Sequence, residues 1–370
     1  MSFEPRNVLI TGGAGFIGAN FVHHWLETTD HGKVVVVDAL TYAGNIENLG
    51  DVGSNPRYVF VRGDICDEAK MRDLVATNQI DTLVHFAAES HVDRSILGPD
   101  DFVRTNVVGT HTLLKVAKAA WLHGGKASAH RFHHVSTDEV YGSLGVADPA
   151  FHEATPYSPN SPYSATKAAS DHLVRAYHET YGLQTTVTNC SNNYGPYQFP
   201  EKLIPLIIIN IFHGKPLPVY GDGLQIRDWL HVADHCRAIG LALTRGKPGE
   251  VYNIGGNSEA TNIEIVKTLC ELVDDRFAKS SELRAAFPAS PAATGKRAVD
   301  LITHVRDRLG HDRRYAINYG KAARELGYAP AQNLAGGLAA TLDWYLGNTA
   351  WWRSLLGRDY AAWVQKNYGT

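Results

Sequence analysis

Short apolar runs recur along the first half of the chain and are separated by stretches with helical periodicity. The run Lys33–Asp38 is rich in β-branched residues, which favours a strand that is buried on both faces. Residues 16–26 and 105–118 instead repeat apolar side chains at helical spacing. Strands are predicted at 7–11, 33–38, 58–65, 82–88, 131–135 and 185–190. Strands that alternate with helices indicate an α/β fold with a doubly wound parallel sheet.

This alternation stops after the last of these strands. Residues 196–223 are rich in Pro and Gly, which indicates that the chain leaves the sheet for a second lobe. A helix is predicted within 226–244, and 251–255 has the pattern of a strand that returns to the sheet. The polar segment 278–297 predicts a long loop or an insertion. We expect a sheet domain formed by 1–190, with 224–260 returning to it, and a smaller, mainly helical C-terminal domain formed by 191–223 and 261–370.

Composition and charge narrow the functional class only a little. The 370 residues are 44% hydrophobic and 20% charged, which is typical of a globular protein. The net charge of −3 argues against nucleic acid as a partner, and the longest apolar run, 203–212, is too short to cross a membrane. The N-terminus has no secretory leader pattern, so we expect a cytoplasmic protein. The four cysteines lie far apart without CxxC spacing, which favours reduced structural thiols.

A glycine-rich turn follows the first predicted strand. It reads Gly12-Gly13-Ala14-Gly15-Phe16-Ile17-Gly18 and leads directly into a helical pattern. Such glycines let the backbone approach a pyrophosphate, and the helix N-terminus offers free N–H groups. Asp38, at the end of the second strand, follows Gly18 by 20 residues and suits a ribose 2′-hydroxyl. Because an acid there would repel a 2′-phosphate, the sequence favours NAD over NADP, and a glycine turn without a ligand is the less favoured alternative. This βαβ unit makes the predicted sheet Rossmann-type.

A second group of polar residues follows the strand at 131–135. Thr137, Asp138 and Glu139 stand at its carboxyl end, which is where ligands bind in open α/β sheets. Two adjacent carboxylates do not both ionise easily, so one is expected to hold a proton. Since consecutive strand residues point to opposite faces, both acids can reach one substrate only if the strand ends there and the backbone turns. A solvated pair in a loop is the alternative, which the neighbouring motifs disfavour.

Tyr163 and Lys167 are four positions apart, so on a helix their side chains share one face. A neighbouring ammonium favours the phenolate, and we expect Lys167 to lower the pKa of Tyr163 from its ordinary value near 10. A carboxylic acid, a carboxylate and an activated phenol together are more proton-handling groups than a simple hydride transfer needs.

These motifs, with several others, resemble the dTDP-glucose 4,6-dehydratase family of the extended short-chain dehydrogenase/reductase superfamily. The resemblance extends over nearly the whole chain. The glycine motif and the Tyr163–Lys167 pair are common to the superfamily, whereas Thr137-Asp138-Glu139 is more specific, because related epimerases carry a small residue where the acids stand. The stretches that carry the resemblance are 10–18, 87–95, 135–142, 163–167, 189–197, 199–205, 227–230 and 310–315.

The resemblance implies a redox-neutral elimination by an NAD-dependent hydro-lyase of deoxysugar biosynthesis. Tyr163 would take the sugar O4 proton, with Lys167 and Thr137 assisting, while the C4 hydride passes to tightly bound NAD. Glu139 would remove the C5 proton and Asp138 would protonate the departing 6-hydroxyl. Return of the hydride to C6 gives dTDP-4-keto-6-deoxyglucose.

The resemblance also assigns binding residues to a dTDP-glucose substrate and an NAD cofactor, without a metal. Of these, Arg227 and Arg308 suit a diphosphate, because a guanidinium grips two oxygens at once. The NAD site would contain Gly12, Gly15, Phe16, Ile17, Gly18, Asp38, Ala39, Leu40, Thr41, Asp64, Ile65, Ala87, Ala88, Thr105, Tyr163, Lys167 and Asn193. The sugar-nucleotide site would contain Ser90, Thr137, Asn192, Lys202, Leu203, Pro218, Val219, Tyr220, Arg227, Asn262, Arg308, His311 and Tyr315.

Some alternatives remain at this point. A 4,6-dehydratase or 4-epimerase of a UDP- or CDP-linked sugar would share the dinucleotide site, and a non-catalytic NAD-sensing protein would share the fold. His130, His133 and His134 cluster, but alternation sends the last two to opposite faces, so packing is favoured over metal binding. By resemblance, a homodimer would pair through the helices that begin near Asp101 and Tyr163. No nucleic acid or membrane partner is expected.

Overall fold

A computed structural model of the chain describes residues 3–122 and 129–357 and contains a seven-stranded parallel sheet. Its strands are β1 (Val8–Thr11), β2 (Val34–Asp38), β3 (Tyr58–Arg62), β4 (Thr82–His85), β5 (Arg131–Thr137), β6 (Thr185–Cys190) and β10 (Val251–Ile254). They lie in the order β10-β6-β5-β4-β1-β2-β3, and each neighbouring pair is parallel. The Rossmann-type sheet expected from the alternating pattern is confirmed.

Helices cover both faces of this sheet, because successive strand residues point to opposite sides. Leu9 packs with α-helical residues on one face, in a cluster that includes Leu113 and Val174. Val8 packs on the other face with Val22 and Val232. The α-helices within the described residues are α1 (Phe16–Thr28), α2 (Glu68–Thr77), α3 (Val92–Leu97), α4 (Asp100–Phe102), α5 (Thr110–Trp121), α6 (Pro162–Tyr181), α7 (Leu203–Phe212), α8 (Val232–Arg245), α9 (Asn262–Lys279), α10 (Ser281–Ala286), α11 (Gly320–Leu326), α12 (Leu334–Gly347) and α13 (Thr349–Leu355).

The segments between and after the last sheet strands build a second core. Helices α7, α9 and α12 enclose an apolar cluster that includes Ile208, Leu269 and Leu342. Two small sheets accompany it, one of β7 (Asn192–Tyr194), β9 (Ile226–His231) and β11 (Glu259–Thr261), the other of β8 (Leu217–Tyr220) and β12 (Ile302–Val305). The returning strand predicted near 251–255 is present as β10 and pairs with β6. The division into two domains remains a prediction, and its outer limits fall in the terminal segments outside the described residues.

Two local predictions are wrong. The segment 278–297 is not a long loop, since it holds the end of α9, then α10 and a 3₁₀ turn at Pro291–Thr294. Phe287 and Ala292 from this segment are buried in the second core, so a few apolar side chains anchor an otherwise polar stretch. The helix that the periodicity placed from residue 105 begins earlier, at Asp100, near where the resemblance placed it, and it is π-helical over Val103–Gly109 before α5.

The fold brings several strand ends together at one edge of the sheet. Thr11 ends β1, His85 ends β4, Thr137 ends β5 and Cys190 ends β6, and these four strands are neighbours. All four cysteines are free thiols, as their spacing predicted. No helix among the described residues is long and apolar enough to cross a membrane.

Candidate active site

A cleft of about 340 Å³ opens at this carboxyl edge of the sheet. It runs from the glycine turn after β1, past the ends of β2 and β4, to the end of β5. All the residues predicted to bind the cofactor line it except Leu40. Leu40 contributes through its backbone instead, since its N–H donates to Asp38 Oδ1 over 2.8 Å.

The glycine turn and its helix fit a dinucleotide. A Cβ on Gly12 would lie 2.6 Å from the Ala87 nitrogen, so only glycine lets β1 and β4 approach this closely. Helix α1 begins after Gly15 without a side-chain cap, which leaves its first N–H groups free for an anion. Asp38 accepts hydrogen bonds from the Ala14 and Leu40 N–H groups, one on each oxygen, and each oxygen keeps a further lone pair. These residues could hold the pyrophosphate and adenosine ribose of NAD.

The adjacent acids lie where the backbone turns. Strand β5 ends at Thr137, and Asp138–Tyr141 form a 3₁₀ turn that Thr137 caps by accepting from the Glu139 N–H over 3.3 Å. Both acids line the same cleft as Tyr163 and Lys167. The prediction that the strand must end at this point is confirmed, and it explains how two consecutive carboxyls share one site.

The surroundings separate the pKa values of the two acids. Asp138 is buried, with 1% of its surface exposed, and its Oδ2 has no hydrogen-bond partner in the part of the chain that the structure describes. Burial, followed by the charges of Glu139 and Asp228, raises its pKa well above the ordinary value. Burial also raises the pKa of Glu139, but the charges of Arg227, Lys202 and Arg308 oppose that rise. The arrangement therefore favours Asp138 as the protonated acid and Glu139 as the carboxylate.

Helix α6 presents Tyr163 and Lys167 on one face toward the cleft. It begins with Ser161 as N-cap, in a capping box with Ser164, and with Pro162 at its first position. Lys167 Nζ donates to the Val135 carbonyl over 2.8 Å.

The pKa of Tyr163 does not follow the prediction. Burial, followed by the negative charge of Glu139, raises the pKa of Tyr163 well above the ordinary value. The hydrogen bond from Thr137 opposes this rise, and the residue as a whole is half-buried. Lys167 is not among the groups that lower this pKa. The expectation that Lys167 lowers the pKa of Tyr163 is not confirmed, because the ammonium donates to the Val135 carbonyl instead.

A second cleft, of about 160 Å³, continues from the first toward the second core. The two clefts share Ser90, Glu139, Asn192, Glu201 and Lys202, so Glu139 stands where they meet. Of the predicted sugar-nucleotide residues, the second cleft is lined by Ser90, Asn192, Lys202, Leu203, Pro218, Val219, Tyr220, Arg227, Asn262, Arg308 and His311, and Thr137 lines the first. Tyr315 lines neither, and its ring lies 4.2 Å from the Arg227 guanidinium carbon.

The two predicted diphosphate arginines are held by different means. Arg227 is buried and donates to the carbonyls of Ile226 and Asp312 as well as stacking on Tyr315. Arg308 forms an ion pair with Asp93, which lies at the start of α3 on the other side of the cleft. Both guanidinium groups are therefore fixed at the cleft wall.

Sequence reasoning missed part of the wall. Tyr42 lines the first cleft, and the Arg94 guanidinium lies 3.8 Å from the centre of its ring. Arg94 in turn pairs with buried Glu201 over 3.0 Å. Asp93, Arg94 and Glu201 lie inside the stretches that carried the resemblance. Arg94 and Glu201 are more than a hundred residues apart, so no local sequence pattern predicts their contact.

All three histidines of the cluster are buried. His133 shares hydrogen bonds with Thr186 and Thr188 on β6, whereas His134 faces α6. Within residues 3–122 and 129–357, no group of three or more His, Cys, Asp or Glu side chains could hold a metal.

Comparison with known proteins agrees with this geometry. The family model described as GDP-mannose 4,6 dehydratase matches residues 9–341. A dTDP-glucose 4,6-dehydratase of Neisseria meningitidis is 54% identical to the chain over 96% of its length and 97% of that protein. The crystal structure of a Streptomyces venezuelae dTDP-glucose 4,6-dehydratase with NAD and TYD bound has a TM-score of 0.83 at 46% identity, and the match covers 94% of this chain and 99% of that one. A UDP-glucose 4-epimerase of Thermotoga maritima, solved with UDP-glucose, has a TM-score of 0.78 at 28% identity, over 93% and 99% of the two chains. Among these three, similarity is greater to the dehydratases.

Proposed function

The chain belongs to the GDP-mannose 4,6-dehydratase family and, within it, to the dTDP-glucose 4,6-dehydratases, and on this premise we propose that it converts dTDP-glucose to dTDP-4-keto-6-deoxyglucose and water. The observation that carries the proposal is the pair Asp138 and Glu139 beside Tyr163 in one cleft, where burial raises the pKa of both acids but three cations oppose the rise at Glu139. Dehydration needs an acid for the departing hydroxyl and a base for a carbon-bound proton, and this pair supplies both.

Oxidation at C4 comes first in the proposed reaction. Tyr163 accepts the O4 proton, and Thr137 hydrogen-bonds in the same region. NAD⁺, held by the residues of the first cleft, would supply the acceptor for the C4 hydride and its donor to C6, and its positive charge would favour the phenolate of Tyr163. Lys167 stays anchored to the Val135 carbonyl at the edge of the cleft, where it can also bind the nicotinamide ribose.

Elimination follows, because the 4-ketone acidifies the C5–H bond. Glu139 removes the C5 proton, and Asp138 donates its proton to the 6-hydroxyl as water leaves. Hydride return to C6 is then matched by the return of a proton from Glu139 to C5. Positioned acid and base groups of this kind typically accelerate a proton transfer by about 10²–10⁴-fold.

The proton balance over one cycle leaves Tyr163 with one proton more and Asp138 with one proton fewer. A proton therefore has to move from the phenol to the carboxyl before the next turnover. The Thr137 hydroxyl is placed between them, since it hydrogen-bonds to Tyr163 and lies 3.5 Å from Asp138 Oδ1. In the proposed cycle, this hydroxyl carries the proton back.

The Asp138–Glu139 pair also disfavours a 4-epimerase and a non-catalytic NAD sensor. A 4-epimerase needs C4 oxidation and reduction only, so neither acid would have a task there. A sensor without turnover would have no use for the raised pKa of Asp138. We therefore do not favour either.

Incubation of the purified protein with dTDP-glucose, without added reductant, tests the proposal. Mass spectrometry should detect the loss of one water from the sugar nucleotide, with no net accumulation of NADH. An unchanged substrate mass would argue against the proposal and would direct the same assay to UDP- and CDP-glucose.

The homodimer remains part of the proposal. Exposed apolar side chains occur on the helical segments concerned, with Val103 and Val108 each 48% exposed on the π-helical turn and Tyr181 45% exposed at the end of α6. Burial of such a face between two copies would remove these side chains from water. Light scattering should give a mass of two chains, and the mass of one chain would reject the dimer.

A further inference from the structure

Lys167 is buried, and its ammonium group has few partners. Besides the Val135 carbonyl, Nζ lies 3.4 Å from His134 Nε2 on β5. His134 Nε2 lies 3.2 Å from Asp171 Oδ1, although this oxygen makes no hydrogen bond within the described residues. Asp171 is one helical turn beyond Lys167 on α6, so His134 stands between the ammonium and a carboxylate on the same helix face.

The other oxygen of Asp171 is fixed. Oδ2 accepts hydrogen bonds from the Ser136 hydroxyl over 2.8 Å and from the Tyr157 hydroxyl over 2.9 Å. Tyr157 in turn accepts from the Asn189 amide over 3.2 Å. Asp171, Ser136 and Asn189 are all buried, so the carboxylate is held in place, and Asp171 itself does not line the first cleft.

The groups around Lys167 include one negative charge that can offset the burial of its ammonium. The titratable groups that face it are His134 on β5, His85 on β4, Cys190 on β6, and Tyr163 and Asp171 on α6. Burial lowers the pKa of both histidines well below the ordinary value and raises that of the Cys190 thiol, so these three are neutral at neutral pH. Burial also lowers the pKa of Lys167, and the charge of Asp171 opposes this.

We propose that Asp171 is a positioning residue whose charge, together with the acceptor nitrogen of His134, keeps Lys167 charged and in place for catalysis. An isolated buried ammonium is costly, and a nearby carboxylate is the compensation that a protein interior offers. Neutral His134 has one ring proton, and with that proton on Nδ1 its Nε2 accepts from Lys167. Asp171 then acts on the ammonium by its charge, and the imidazole between them adds no third charge. The inference rests on the proposed function, because it needs Lys167 to be part of the catalytic machinery.

The pH profile of dTDP-glucose turnover in Asp171→Asn tests this proposal. The amide keeps an oxygen for Ser136 and Tyr157 but has no charge, so the pKa of Lys167 should fall. Since activity needs the ammonium, we expect the basic limb of kcat to move about one unit or more toward lower pH, which is a loss of about tenfold on that limb. Asp171→Glu, which restores the charge, should move the limb back.

Tyr157→Phe is the matched control, because it removes one hydrogen bond to the same carboxylate and leaves its charge. Its profile should have an unshifted basic limb, even if the protein is less stable. If Asp171→Asn does not fold, His134→Phe removes the linking nitrogen while all charges remain, and a shift in the same direction is expected. Unshifted limbs in the folded variants would overturn the inference. Absence of turnover in the unsubstituted protein would instead reject the proposed function.

Discussion

At the scale of single residues, the site depends on the different surroundings of two neighbouring carboxyls. Asp138 is enclosed and close to other acids, whereas Glu139 faces three cations at the junction of two clefts. The sequence predicted that one of the pair holds a proton, and the resemblance assigned the two roles. The surroundings that favour these roles could not be predicted, because Arg227, Lys202 and Arg308 are brought near Glu139 only by the tertiary structure.

Substitution of either acid should slow the loss of water without preventing the oxidation of C4. Asp138→Asn and Glu139→Gln should each slow water loss by roughly 100-fold or more, because a positioned acid or base is gone. C4 oxidation should persist, so the absorbance of bound NADH should rise when dTDP-glucose is added. Equal loss of oxidation and elimination in both variants would contradict the assigned roles.

Thr137 should matter more for later turnovers than for the first. In Thr137→Val the hydroxyl between Tyr163 and Asp138 is lost, so rapid mixing should give one product per site and then a rate lower by roughly 100-fold. Small diffusible buffers should accelerate that second phase. Thr137→Ser, which keeps the hydroxyl, is the control, and equal slowing of first and later turnovers would argue against the relay.

Asp138 should also link stability to pH. Burial raises its pKa in the folded state, so the folded chain keeps a proton that the unfolded chain releases. The stability this proton contributes is complete below the unfolded pKa, which is about 4, and is lost as pH rises toward the folded pKa. Asp138→Asn mimics the protonated acid and should be more stable at neutral pH by about 1 kcal/mol. Urea unfolding at several pH values measures this, and the gain should vanish at acid pH.

At the scale of elements, local sequence patterns were enough to predict most strands of the sheet and their alternation with helices. Short apolar runs became strands, and the glycine turn opened α1. The segment 278–297 was missed because only a few side chains, Phe287 among them, fix it to the second core. Its short helices depend on tertiary packing rather than on a repeating pattern, and the π-helical turn at Val103–Gly109 likewise left no signal in the periodicity.

Helix α6 offers a test of how an element positions chemistry. Ser161→Ala removes the cap of this helix two residues before Tyr163 and should destabilise the protein by about 1 kcal/mol. It should also lower kcat, since the first turn carries the phenol. Asn333→Ala removes the N-cap side chain of α12, which carries no proposed site residue. A similar loss of stability with nearly unchanged kcat is expected there, and equal kcat effects would contradict this role of α6.

At the scale of the whole molecule, two cores place two clefts end to end. The first cleft belongs to the parallel sheet, and the second is closed by residues such as Arg308 that arrive late in the chain. The ion pair between Asp93 and Arg308 joins positions 215 residues apart, which no local pattern predicts. The fold class could therefore be predicted from the sequence, whereas the meeting of the clefts at Glu139 required the three-dimensional structure.

In the proposed reaction one hydride leaves C4 and returns to C6 of the same sugar while water is lost. Incubation with dTDP-glucose that carries deuterium at C4, followed by NMR and mass spectrometry of the product, tests this transfer. We expect dTDP-4-keto-6-deoxyglucose with the deuterium at C6 and none released to solvent. Deuterium that remains at C4, or that is lost to the solvent, would contradict it.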